Sequence, residues 1–430
     1  MSTLEIVCII VATAALFGWI STRVFRLPIT IGTMMLTVGA SLILLDIGRF
    51  VPALHAWVVR LAQQIDFQSL VLNGMLPLLL FAGAFLLDLD QLAREKLPVA
   101  VLSILGTVLS FFAVAALMQL LSFGHAAWTE CLLFGALISP TDPVAVLEML
   151  RRVGISKSIE AQLAGESLFN DGIGAVLFLT MIQIARGHAP TVGHVAGLLL
   201  LQAGGAIALG IAAAWLASRL MCLVNSYQVD ILLTLSLAFG GYLLAALGHL
   251  SGPLEAVVAG IALRLFNRRK AAGRIADDRV DQFWTLIDEV QNSLLFVLLG
   301  LEVLVVALNP VTLRAGAAAI LSVNAVRFAV VALCLLIVRV SRKSLLSTRG
   351  PHQADSPSRG GTSILTLTWG GLRGGLSIAL ALSIPATLGG NWIFGATYLV
   401  VVFSILVQGG SLHLVMSRRN RTRNSTHAAA

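Results

Sequence analysis

Charge is what this sequence has least of. Of its 430 residues, 12% are Asp, Glu, Lys or Arg, while 57% are hydrophobic, and mean hydropathy is +0.91. A soluble chain of this length needs a charged surface, so that class is excluded. Strict polar/apolar alternation is also missing, which argues against a membrane β-barrel. Cysteine is sparse: Cys8, Cys131, Cys222 and Cys334 lie scattered in apolar runs. They form neither a disulfide framework nor a zinc or iron spacing, so no resident cofactor is expected. No HExxH and no phosphate-binding glycine loop occurs, and no nucleophile–base constellation stands out. No Lys or Arg precedes Arg23, so the N-terminus predicts a first spanning helix rather than a signal peptide.

What is present is a series of uncharged apolar runs, many longer than the roughly 18 residues that cross a bilayer. They predict an all-α polytopic membrane protein of about thirteen spans. The spans read Leu4–Trp19, Ile29–Leu45, Leu70–Leu87, Leu97–Leu121, Thr129–Leu150, Ile159–Ile184, Val195–Leu223, Val229–Leu247, Leu250–Leu265, Leu286–Leu308, Val311–Ile337, Ser363–Thr387 and Trp392–Met416. Residues 1–416 are thus a transmembrane domain, and 417–430 a short basic tail. With the N-terminus outside and the C-terminus cytoplasmic, Arg23, Arg26, Arg94, Lys96, Arg151, Arg152, Lys157, the cluster around Arg268 and the tail all fall inside. Arg49, Arg60, Arg186 and Arg314 fall outside, the asymmetry of a protein of the inner cell membrane. The net charge of +8 then faces lipid headgroups and requires no nucleic acid. Residues 342–361 form a Ser/Pro/Gly-rich linker.

Two spans are interrupted. The fifth contains "ISPTDPVAVL", where Pro140 and Pro143 flank Thr141 and Asp142. Each proline removes an N–H and clashes with the preceding turn, so the helix unwinds there. Such backbone is tolerated at membrane depth only where it lines a cavity or is enclosed by protein. The twelfth span contains "WGGLRGGLSIALALSIP", with glycines around Arg373. Small residues of this kind also allow close helix packing. Repeats of about six spans, 1–186 and 229–416 with a linking span at 195–223, make the two interrupted spans equivalent and inverted in topology, the arithmetic of a secondary transporter.

The sixth span carries "AGESLFNDGIGAV". Glu166 and Asn170 share one stripe of that helix, and Ser167 and Asp171 the next. Acids within spans face partners or ion paths. Asp171, Asp142, the Ser167 hydroxyl and a freed Thr141 carbonyl are hard oxygen donors that suit Na⁺ or Li⁺. One carboxylate oxygen cannot hold H⁺ and Na⁺ together, and that competition couples the two. Arg327, within the eleventh span, balances Glu166, with the Asn170 amide bridging the pair. Exchange of one proton for one monovalent cation is then electroneutral.

"SPTDPVAV", "GESLFNDG", "SGPLEAVVAGI", "FWTLIDEVQNSLLFVLLGLEV", "WGGLRGGLSIALALSIP" and "VVFSILVQG" together resemble the monovalent cation/proton antiporters, in particular their prokaryotic NhaP-type branch. The resemblance runs from about the third span to the last. It implies a homodimer with an elevator-like core, an ion-binding aspartate at Asp171, a broken-helix pair at Thr141 and Asp142, and a serine ligand at Ser167. It further implies a Glu166–Arg327–Asn170 network and a crossing-helix arginine at Arg373. The acid that many relatives carry shortly before "SG" is missing from "YLLAALGHLSG".

Other polar residues have local readings. Glu148 is placed for a salt bridge with Arg151 or Arg152. Asn292 is read as a core support or an interhelical hydrogen bond, and His249 as an interfacial residue; Glu255 and Glu302 stay open. A K⁺/H⁺ or mixed-cation antiporter fits the same residues. A cation channel fits less well, because channels build rings from repeated subunits. An intramembrane enzyme fits least.

Overall fold

The computed structural model describes residues 3–51, 66–122, 126–153, 155–187, 192–224, 226–270, 278–306, 309–346 and 360–411. The tail at 417–430 and most of the 342–361 linker lie outside these. Among the described residues, nine helices are long and apolar enough to cross a membrane. They include α1 (Glu5–Phe25), α2 (Ile29–Phe50), α3 (Phe67–Phe85) and α4 (Lys96–Leu121). The fifth span is two pieces, α5 (Trp128–Ile138) and α6 (Val144–Val153). Then follow α7 (Lys157–Ala185), α8 (Val192–Met221) and α9 (Tyr227–Leu247). Next come α10 (Gly252–Lys270), α11 (Asp278–Leu301) and α12 (Pro310–Leu346). The twelfth span is again two pieces, α13 (Gly360–Trp369) and α14 (Gly375–Leu382), before α15 (Gly390–Gly409). With α10, α11 and the two broken spans added to the nine, the described residues make about thirteen crossings.

Most boundaries fall near the apolar runs, and the eighth and ninth spans do divide at "GHLSGP". There Gly248, His249 and Leu250 donate back into the last turn of α9 at 2.8–3.1 Å, and His249 adopts a left-handed φ of 55°. The tenth span departs from the expected Leu286 start. Its helix begins at Asp278, because the charged segment is accommodated in the helix rather than excluded. Asp281 takes both arms of Arg264 from the end of α10, at 2.7 and 2.9 Å, so the acid enters the helix already paired. The same helix stops at Leu301 and tightens into a 3₁₀ turn, Glu302–Leu304, short of the expected Leu308.

Packing sorts the helices. A large apolar core joins α4, α5–α6, α7, α12, α13–α14 and α15, and extends to α1, α2 and the later half of α11. A second, smaller core gathers α3, α8, α9, α10 and the start of α11. Trp284 is its centre: fully buried, with its ring 4.7 Å from that of Phe81 and its indole N–H donating to Thr234 at 3.1 Å. That bond satisfies the one polar atom of a large apolar side chain. Trp284→Ala is therefore expected to destabilise the fold by about 3–5 kcal/mol, read as a lowered Tm in detergent.

Candidate functional site

The broken fifth span leaves main-chain groups that need partners, and side chains from the sixth and twelfth spans supply several of them. At the end of α5 the Ser377 hydroxyl donates to the Leu137 carbonyl at 2.8 Å. One guanidinium nitrogen of Arg373 donates to the Ser139 and Pro140 carbonyls, at 2.6 and 2.5 Å. The Ser167 hydroxyl donates to the Thr141 carbonyl. The Thr141 N–H donates to Asn170 Oδ1 at 3.2 Å, and Asn170 Nδ2 to the Thr141 hydroxyl at 2.8 Å. Asp142 N–H donates to the Leu372 carbonyl at 2.8 Å, and Asp142 Oδ1 caps α6 by accepting from Val144 N–H at 3.0 Å. Arg373 thus places a cation at the negative end of the α5 dipole, and Asp142 an anion at the positive end of α6.

The broken twelfth span supplies the other half. Asp142 and Leu372 form an isolated antiparallel bridge, so the two unwound segments cross and pair. Glycine makes the crossing compact: a Cβ on Gly371 would come 2.6 Å from Arg327 Nε, and one on Gly374 would come 2.7 Å from the Asp142 Cβ. These glycines make room for functional side chains, beyond simple helix packing. The Arg373 N–H donates to the Ser404 hydroxyl at 3.0 Å, which donates to Gln408 Oε1 at 2.7 Å. Gln408 in turn donates to Asn324 Oδ1 on α12. Ser377, Ser404, Gln408 and Asn324 were not anticipated from sequence. Their signal was a polar side chain inside an apolar run, which many spanning helices share.

Glu166 and Arg327 form a bidentate pair, 1% and 6% exposed. Arg327 also donates to the Leu367 carbonyl of α13 at 3.0 Å. The Asn170 amide was expected to bridge this pair. Its hydrogen bonds go instead to Thr141, because one helical turn beyond Glu166 it faces the break, where Thr141 needs both a donor and an acceptor.

A cavity of about 770 Å³ reaches this crossing, and Thr141, Asp142, Ser167 and Asp171 all line it. Asp171 makes no hydrogen bond or ion pair among the described residues. Opposite stand Asp288 and Asn292 of α11, joined one turn apart at 3.2 Å, so Asn292 serves its own helix rather than a neighbouring one. Arg151 and Lys157 also line the cavity. Arg151 pairs with Glu160 at 2.6 Å, and Glu148 accepts from Thr30 at 3.0 Å; the side chain of Arg152, the other partner expected for Glu148, lies outside the described residues. Glu302 is 9% exposed at the far end of α11, and His249 is exposed. The arrangement gathers carboxylate, hydroxyl and carbonyl oxygens at the end of a solvent-sized path, in front of a neutral ion pair. It offers ligands for a small hard cation and supplies no nucleophile–base pair. Arg327→Met leaves the Glu166 charge buried alone, and is expected to destabilise the protein by about 3–5 kcal/mol in thermal unfolding.

The family described as "Sodium/hydrogen exchanger, transmembrane" matches residues 11–418. The chain is 37% identical over 421 residues to the Na(+)/H(+) antiporter NhaP of Pseudomonas aeruginosa, covering 96% of each chain. It is 31% identical to the Na(+)/H(+) antiporter NhaH of Halobacillus dabanensis, over 80% of this chain and 82% of that one. The fold is similar to the solved structure of the sodium proton antiporter MjNhaP1 from Methanocaldococcus jannaschii. That match has a TM-score of 0.71 at 18% identity, covering 95% of this chain and 100% of the other. A match of that family over nearly the whole chain, with a fold of the same kind, leads to one conclusion: the chain belongs to the transmembrane sodium/hydrogen exchangers, which are transporters and not enzymes.

Proposed function

We propose that this chain exchanges Na⁺ or Li⁺ for H⁺ across the inner membrane, one for one, by competition of cation and proton for Asp171. The observation that carries the reading is the Asp171 carboxylate itself. It lines the cavity beside the Asp142 carboxylate, and no hydrogen bond or ion pair among the described residues occupies it. The names of the relatives from Pseudomonas aeruginosa and Halobacillus dabanensis support sodium as the cation.

A cation arriving by the cavity exchanges water for the Asp171 and Asp142 carboxylates, the Thr141 carbonyl and the Ser167 hydroxyl. The Ser167 O–H donates to the Thr141 carbonyl, so the lone pairs of Ser167 stay available as acceptors. A proton on Asp171 removes the charge that holds the cation. Because either ligand cancels the same single charge, the loaded site crosses with equal net charge in both directions. Glu166 and Arg327 neutralise each other and take no part in the exchange. Arg151 and Lys157 mark the mouth of the cavity, and the positive-inside rule assigns that mouth to the cytoplasm. The N-terminus is then outside and the C-terminus inside. We assign the working unit as a homodimer, which cross-linking in native membranes tests by a band at twice the monomer mass.

Solubilised protein titrated with Na⁺ is expected to release protons, and Asp171→Asn to abolish that release. Lowering pH should raise the apparent KM for Na⁺, as competition requires. In proteoliposomes with a voltage-sensitive dye, exchange should build no membrane potential; a sodium-driven potential would overturn the one-for-one stoichiometry. Proton release by K⁺ as strong as by Na⁺ would instead assign a K⁺/H⁺ or mixed-cation exchanger.

A further inference from the structure

Glu255 is a buried acid that the exchange reading leaves unused. It stands in the first turn of α10 at 0% exposure, and neither carboxylate oxygen has a hydrogen-bond partner. Its carboxyl fills a notch at Gly241 of α9, where a Cβ would come 2.7 Å from the carboxyl carbon. On the α8 side, a Cβ on Gly210 would lie 2.9 Å from the Glu255 main-chain carbonyl.

Among the described residues, no cation pairs with it. From α8 comes Gln202, itself buried with an unpartnered amide oxygen. From α9 comes Tyr242, whose ring packs on Gly252. Next to α10, α7 presents Gly172, with Asp171 one residue before it, and α3 presents the apolar Phe81 and Ala84 against Gly260. His249 lies in the turn before α10 and is exposed. An ionised carboxylate in such surroundings is strongly disfavoured without a counter-ion or donors. The smallest ligand that removes the charge without needing space is a proton.

Its position gives that proton leverage. Leu254, the preceding residue, is where α10 meets α7: a Cβ on Gly172 would lie 3.0 Å from the Leu254 Cδ1 and 3.3 Å from its Cα. We propose that Glu255 is a second proton-binding site whose proton is not transported but latches α10 against α7. The proposal rests on the exchange reading of Asp171. With its proton, Glu255 is neutral and the seam between α8, α9 and α10 stays dry. Without it, the charge draws water into the seam, the Leu254–Gly172 contact loosens, and α7 is released to move.

The test compares initial rates of Na⁺-driven proton flux at saturating Na⁺, from neutral to alkaline pH. The wild-type rate is expected to rise toward alkaline pH. Glu255→Gln, fixed in the neutral form, should lose that rise and run several-fold slower at the alkaline end, while its Na⁺-induced proton release in detergent matches wild type. A protonated-carboxyl band in the infrared difference spectrum should vanish with it. Gly241→Ala crowds the carboxyl from its notch and should lift the neutral-pH rate toward the alkaline one. If Glu255→Gln keeps the wild-type pH–rate profile, the proposal is overturned. Should that variant not fold, an unchanged profile in Gly241→Ala overturns it equally. Absence of Na⁺-induced proton release in the wild type would instead sink the Asp171 reading, a separate result.

Discussion

One guanidinium holds the centre of this protein together. Arg373, carried by one unwound span, donates to the last carbonyls of the other. An interrupted helix exposes main-chain oxygens where no water is available to satisfy them. A permanent cation is the strongest cure, and arginine is the residue that keeps its charge when buried. The Asp142–Leu372 bridge, the Ser167 and Ser377 hydroxyls and the Asn170 amide add further partners at the crossing. Removing the partners of that break would leave Thr141 and Asp142 without a defined position, and the oxygens around Asp171 without a geometry.

Two buried ionic systems sit within a short reach and are kept apart by their bonding. Glu166 and Arg327 are closed on each other and on the Leu367 carbonyl. Asp171 is open to the cavity. The separation follows from helix periodicity: Glu166 and Asp171 are five residues apart on α7, so they leave it in different directions. A permanent pair can thus brace the crossing while a free acid, one and a half turns away, faces the ion path.

Much of this could be read from residues. Continuous apolar runs and the distribution of Arg and Lys gave the crossings. The prolines around Thr141 and Asp142 and the glycines around Arg373 located both breaks, because these residues change backbone geometry whatever surrounds them. Partner choice was less legible. Asn170 serves Thr141 instead of the Glu166–Arg327 pair, and Arg151 pairs with Glu160, since hydrogen bonds depend on how helices turn and approach. The early start of α11 was hidden because Asp281 reads as exposed until Arg264 is seen beside it. Ser404, Gln408 and Asn324 act through contacts between spans far apart in the chain, which no local pattern encodes.

The wall facing the crossing has a consequence of its own. Asp288 takes its hydrogen bond from Asn292 on the same helix, and nothing from the unwound segments opposite. The polar bond of this pair therefore lies within one bank of the cavity. Displacement of one bank along the other severs no bond of the Asp288–Asn292 pair, so this stretch of the boundary is suited to serve as a slip plane rather than a weld.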